Sequence, residues 1–182
     1  MLTALAATPG GGIATGHDDD AAIRVWSNSG ELEATLKGHS GSVYALACTA
    51  SGAIVSGSAD NTVRVWRGDS CTRPVRHTDQ FWSVDVSPLD GSIVCGSTDC
   101  YAFVLSAAGE PVGVLKGHTA FVQTVCVLDN GDIATGSKDK TVRVWQRGSW
   151  ACTGIHEQPG SVCAVACAPG GGIAVAGGDD GL

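Results

Sequence analysis

The sequence predicts an all-β fold, a propeller of four-stranded blades, about four and a half of them in an incomplete, open ring. Three observations predict it. One pattern repeats along the chain with a period near 40 residues. A second marker keeps the same period. Between the markers lie short apolar and β-branched runs broken by Gly, Ser, Asp and Asn, and no segment carries the sustained 3.6-residue apolar period of a helix.

The first marker closes each repeat. The segment from Ile54 to Trp66 closely matches the one from Ile133 to Trp145, and a looser copy runs from Ile13 to Trp26. The weakest copy runs from Ile93 to Leu105. Trp26, Trp66, Leu105 and Trp145 fall at steps of 40, 39 and 40 residues. The second marker is Gly38-His39, Arg76-His77, Gly117-His118 and Ile155-His156, each ahead of an apolar stretch.

Taken in order, the blades are expected at about 2–37, 42–76, 80–115 and 121–155, with a partial fifth at 160–178, all in one region spanning 1–182. Within the second blade the strands are read at 43–48, 53–58, 62–66 and 71–75. The fifth blade supplies two strands, and its third strand and closing Trp are missing. Blade flanks at both ends would then be unpaired. A fragment or truncated product, part of a split propeller, and a small self-closing ring are the readings this leaves.

Composition removes several function classes. Hydrophobic residues make up 43% of the 182, enough for a core. The net charge of −7, with Lys and Arg scattered singly, argues against nucleic acid as a partner. No apolar run approaches the roughly 20 residues that cross a bilayer, so no membrane association is expected. The opening residues 1–7 are too short and lack the basic flank of a secretory signal.

The eight cysteines include no C-x-x-C pair. Cys48 and Cys167 share one slot of the repeat, and Cys71 and Cys152 share another. Recurrence in a slot predicts small buried hydrophobes, not disulfides, zinc ligands or redox centres, and hence a reducing compartment, cytosol or nucleus. No cofactor is expected.

His39, Ser58, Asp60 and Trp66, and again His118, Ser137, Asp139 and Trp145, could be mistaken for a catalytic constellation. An active site occurs once, whereas this set occurs twice in full and again in damaged form. Repetition predicts structure and no enzyme.

The period, the Gly-His and the terminal Trp resemble the WD-repeat family over nearly the whole chain. The usual closing Trp-Asp is replaced by Trp-Ser, Trp-Arg and Trp-Gln. A closed ring of that family has most often seven blades, roughly 300 residues. The resemblance implies that the repeated Trp, hydroxyl, His and Asp form a hydrogen-bonded chain joining the loop before a blade to its inner strands. A buried indole N–H needs an acceptor, and an imidazole between a hydroxyl and a carboxylate satisfies both ring nitrogens. The sets are written with Ser58 and Ser137, though spacing leaves open Ser56 or Ser58, and Thr135 or Ser137.

Damaged copies predict weaker bracing. Blade three keeps His77, Ser97 and Asp99 but has Leu105 for Trp, so it should be the least braced complete internal blade. Blade one has Trp26 with Asp19 or Asp20 and no leading His. Blade five has His156 and Asp179, with Ala174 and Ala176 in the hydroxyl slots.

The resemblance also implies that positions just after each Gly-His reach the partner-binding face. These are Ser42 and Tyr44, Gln80 and Trp82, Phe121 and Gln123, and Ser161 and Cys163, joined by Ala59, Thr98 and Lys138 before the turn Asp. Tyr44, Trp82 and Phe121 stand out among only ten aromatics. Either they form an interface or they pack between blades.

Residues 125–136, with the Asn130-Gly131-Asp132-Ile133 turn, and Gln158-Pro159-Gly160-Ser161-Val162 resemble the last blades of the phospholipase A-2-activating protein family, Doa-type ubiquitin-binding propellers. That resemblance implies an interaction scaffold that binds ubiquitin on the propeller face and serves an AAA ATPase in ubiquitin-dependent degradation. The family's C-terminal ubiquitin-binding and ATPase-binding domains have no counterpart here, so the full adaptor role is not expected. The alternatives are a generic WD-repeat adaptor of another complex and a truncated, non-functional fragment.

Overall fold

A computed structural model of the protein describes residues 1–72, 74–168 and 172–178. Among these residues there is no helix, and every strand pairing is antiparallel. The first sheet holds β1 (Leu2–Ala7), β2 (Ile13–His17), β3 (Ile23–Trp26) and β4 (Leu32–Leu36). The second holds β5 (Val43–Cys48), β6 (Ile54–Ser58), β7 (Thr62–Arg67), β8 (Ser70–Cys71) and β9 (Val75–Arg76). The third is β10 (Phe81–Val86), β11 (Ile93–Ser97), β12 (Tyr101–Leu105) and β13 (Pro111–Lys116). The fourth is β14 (Val122–Val127), β15 (Ile133–Ser137), β16 (Thr141–Trp145) and β17 (Cys152–Glu157), and the fifth is β18 (Ser161–Ala168) with β19 (Gly172–Gly178).

Each sheet is a meander in sequence order, because tight turns make only neighbouring strands available for pairing. The second sheet departs from its expected fourth strand at 71–75. Two short strands, β8 and β9, pair with β7 in its place. Pro74 lies between them and cannot donate to the ladder, which breaks the strand there.

The second strand of each internal blade is buried along its whole length, as in β6, β11 and β15. It therefore reads as a continuous run of small and apolar residues rather than an alternation. Outer strands such as β4 and β13 are mostly exposed.

The core lies between the sheets. Ile23, Leu36, Val43 and Trp66 join the first and second, Val55, Val65, Phe81, Ile93 and Leu105 the second and third. Val94, Leu115, Val122 and Trp145 join the third and fourth, and Ala134, Val142, Val162 and Val165 the fourth and fifth. Innermost strands are also tied by side chains. Ser83 Oγ and Asp85 Oδ2 accept the N–H groups of Val125 and Val127, and Thr124 Oγ1 accepts that of Val165. Burial raises the Asp85 carboxyl above the ordinary carboxylate range, against the lowering effect of its bonds from the Val127 and Val86 N–H groups.

Close approach of the sheets depends on a glycine. A Cβ on Gly136 would lie 2.4 Å from Val162 Cγ1, and one on Gly96 2.8 Å from the Val122 carbonyl oxygen. The row of five sheets does not close into a ring among the described residues.

All eight cysteines are free thiols. Cys95 and Cys126 are buried, but Cys152 and Cys163 are exposed, which corrects the expectation of uniform burial. Cys152 lies on the outer strand of the fourth blade, beside a fifth sheet of only two described strands. Cys163 lies at a bulge that turns it out of the ladder.

Candidate protein-interaction face

The hydrogen-bonded chain is built twice with nearly the same geometry. In the second blade Trp66 Nε1 donates to Ser56 Oγ at 2.9 Å, and that oxygen is 2.7 Å from His39 Nε2. His39 Nδ1 lies 2.8 Å from Asp60 Oδ2, and the Thr62 hydroxyl donates to Asp60 Oδ1. In the fourth blade Trp145, Thr135, His118, Asp139 and Thr141 repeat this with distances of 2.9, 2.7 and 2.8 Å along the chain from Trp to Asp. The partners fix the imidazole tautomer: Nδ1–H faces the carboxylate and Nε2 accepts the hydroxyl proton.

Ser58 and Ser137 do not stand in these chains, a correction to the sets written from sequence. Each caps the turn at its strand end, donating to the Gly41 or Ala120 carbonyl and accepting the N–H of Asp60 or Asp139. Residues 56 and 58 share a face of β6, so spacing does not separate them. Trp66 pairs with Ile54 in the ladder, which puts Ser56 within diagonal reach of its indole and leaves Ser58 beyond it.

The charges fit the geometry. Burial opposes ionisation of Asp139, but bonds from the Thr141 hydroxyl, the Thr119 N–H and His118 override it and push its carboxyl down to about 2. Asp60 is held well below the ordinary range in the same way, with burial overridden by bonds from His39, Thr62 and the Ser40 N–H. Burial pushes His118 down, in part countered by Asp139.

The other blades are braced differently. In the first, Trp26 Nε1 donates to Thr15 Oγ1, which lies 3.0 Å from His17 Nε2, so a histidine within the second strand replaces the missing leading one. Asp20 pairs with Arg24. In the third, His77 Nδ1 and Asp99 Oδ2 are 3.1 Å apart but not aligned for a hydrogen bond, and Asp99 Oδ2 is buried without one. Cys95 takes the place of Ser56, and burial raises its thiol far above the ordinary range. In the fifth, Ala174 and Ala176 lie on β19, His156 is exposed on β17, and Asp179 is outside the described residues.

Each innermost strand carries a bulge near its start, after the first residue in β1, β5, β10 and β14 and after the second in β18. The residues in it are Thr3, Tyr44, Trp82, Gln123 and Cys163. Across the junction of the second and third sheets Tyr44 and Trp82 stack, with centroids 4.6 Å apart and planes at 20°. Trp82 remains 43% exposed. At the mouths of the strands Ser42, Gln80 and Phe121 accept backbone bonds from Ala59, Thr98 and Lys138, so the two groups of candidate residues meet in pairs. Ser42 also donates to Asp18 of the first sheet. The Lys138 ammonium sits 5.3 Å from the centre of the exposed Phe121 ring. Gln123 Oε1 is buried without a hydrogen-bond partner. Sequence spacing did not single out Ser56 and Thr135, nor did it find Thr62, Thr141 or His17. Thr62 and Thr141 recur at one offset in both full copies, a signal that was present.

Comparison with known proteins agrees with this architecture. The model of the "WD domain, G-beta repeat" matches residues 30–67 and 109–146, each beginning at or just before the outer strand of one sheet and taking in three strands of the next. The chain is 32% identical over 134 residues to ubiquitin homeostasis protein lub1 of Schizosaccharomyces pombe, covering 70% of this chain and 18% of that protein. It is 30% identical to ribosome biogenesis protein YTM1 of Vanderwaltozyma polyspora, covering 69% and 23%. THO complex subunit 6 of Arabidopsis thaliana is 29% identical over 97% of this chain and 50% of its own length. The chain thus spans half or less of each of these relatives. Repeated sheets, bracing chains and matched repeats together place the chain in the WD-repeat family.

Proposed function

We propose that the chain is a protein-interaction scaffold and that its partner surface is the bulge row centred on Tyr44 and Trp82. The observation that carries this is their stack: a large aromatic pair across two sheets, with Trp82 exposed and Tyr44 half-buried beneath it. Rigid aromatic surface loses little conformational freedom on binding and is enriched at interface hot spots. Phe121 with Lys138, and Gln80 and Ser42, extend the surface along neighbouring blades.

The partner class proposed is ubiquitin, with an AAA ATPase system downstream, in cytosol or nucleus. Two things support ubiquitin: the resemblance of residues 119–178 to Doa-type propellers, and a relative whose name places it in ubiquitin homeostasis. A generic adaptor role is the second reading, favoured by relatives named for ribosome biogenesis and for the THO complex.

Mapping tests the location. On adding mono-ubiquitin, backbone resonances of Tyr44, Trp82, Gln80 and Phe121 should shift together and saturate. Shifts confined to the outer strands β4 and β13 would move the surface elsewhere. No shifts from a folded sample would remove ubiquitin and leave the generic adaptor.

A further inference from the structure

The third blade lacks the tryptophan that fills the same position in the second and fourth. Leu105 pairs with Ile93 as Trp66 does with Ile54 and Trp145 with Ile133. Beside it is a cavity of about 200 Å³ lined by Val75, His77, Phe81, Cys95, Phe103 and Leu105, with Arg76, Pro111 and Val114 at its rim.

These walls are the walls of a tryptophan slot. Val75 holds the ladder position of Leu36 and Leu115, which pack against Trp66 and Trp145. Cys95 stands where Ser56 and Thr135 accept the indole N–H. His77 stands where His39 lies 5.9 Å from the Trp66 ring. Phe103 replaces Arg64, whose guanidinium sits 5.8 Å from that ring, and leans on His77 at 4.2 Å. The slot has therefore kept its histidine and exchanged its hydroxyl for a thiol and its guanidinium for a phenyl ring.

From this we infer that the slot is a binding site for a small, neutral, planar aromatic molecule of about indole size. A dry apolar cavity near 150 Å³ takes up benzene, so this one has room for the larger ring. Phe81 and Phe103, themselves edge to face, supply aromatic wall. The apolar walls disfavour a charged ligand of either sign, because nothing in them replaces the hydration a buried ion would lose, and the cationic Arg76 at the rim adds repulsion against cations. Burial keeps Cys95 protonated, so it contributes a polarizable surface and only weak hydrogen bonding, without charge. The site lies between the outer edge of the second blade and the third sheet, and its lining contains none of the residues of the proposed partner face.

Indole itself is the probe, added to the full chain. Methyl resonances of Leu105 and Val75 should shift saturably, with a dissociation constant on the order of 0.1–1 mM and direct cross-relaxation from indole to both residues. Replacing Leu105→Trp together with Cys95→Ser refills the slot and should abolish binding. Absence of saturable shifts on the wild-type chain, cross-relaxation to other residues, or undiminished binding in the folded double variant overturns the inference. Should the double variant fail to fold, the cross-relaxation on the wild-type chain decides alone.

Discussion

Trp66 and Ser56, on adjacent strands, share a 2.9 Å hydrogen bond whose acceptor oxygen also meets His39 at 2.7 Å. The serine hydroxyl thus accepts a hydrogen bond from the indole N–H and donates its own O–H to the imidazole, linking strand to loop. Coupling should follow that chain. Trp66→Ala or Trp145→Ala is expected to cost about 3–5 kcal/mol through the cavity left behind. In a double-mutant cycle, Trp66→Phe and Ser56→Ala should couple by roughly 0.5–3 kcal/mol, whereas Trp66→Phe and Ser58→Ala should be close to additive. Urea unfolding of the four variants measures both, and equal coupling for the two serines would return Ser58 to the chain.

Acid should loosen the protein in two stages. Native His118 resists protonation, so stability is full above the ordinary histidine value of 6.5 and falls as pH drops below it, where the unfolded chain takes up protons more readily. Asp139, pushed down to about 2 from an ordinary 3.8, contributes stability that is present above 3.8 and lost as pH falls toward 2. Denaturant midpoints taken from pH 8 to pH 3 should decline below 6.5 and steepen below 4. In Asp139→Asn the second decline should shrink, and a flat profile from pH 8 to pH 4 would contradict the assignment of a neutral buried imidazole.

The spacing between sheets gives a third expectation. A methyl at Gly136 would meet Val162 Cγ1 at 2.4 Å and Thr124 Cγ2 at 2.7 Å, whereas at Gly57 nothing comes nearer than 3.1 Å. Gly136→Ala should therefore destabilise by about 1–3 kcal/mol and Gly57→Ala by distinctly less. Thermal melts of the two variants check the order.

Much of this architecture was legible because each blade repeats the same strand pattern. Matching Ile54–Trp66 to Ile133–Trp145 was enough to place strands, turns and the Trp, His and Asp of each bracing chain, though not its hydroxyls, and Leu105 marked the third blade as the one without a closing Trp. What stayed hidden depends on distance across the fold. The choice between Ser56 and Ser58 turns on a diagonal reach that a two-residue period does not encode. His17 brackets Trp26 from within a strand, where no leading His announced it. Tyr44 and Trp82 were marked as aromatics, but their stacking arises from bulges on two separate sheets. The break at Pro74 was readable in the residue itself, since proline has no N–H for the ladder.

The scaffold reading itself is tested most directly by isothermal titration of mono-ubiquitin into the wild-type chain and into Trp82→Ala. Light scattering first establishes the oligomer, and circular dichroism verifies the fold of both. Saturable binding in the micromolar range by wild type, lost in Trp82→Ala with the fold and melting point retained, is the predicted result. Equal binding by both would contradict the placement of the partner surface at Tyr44 and Trp82. No heat from well-folded wild type would contradict ubiquitin as the partner.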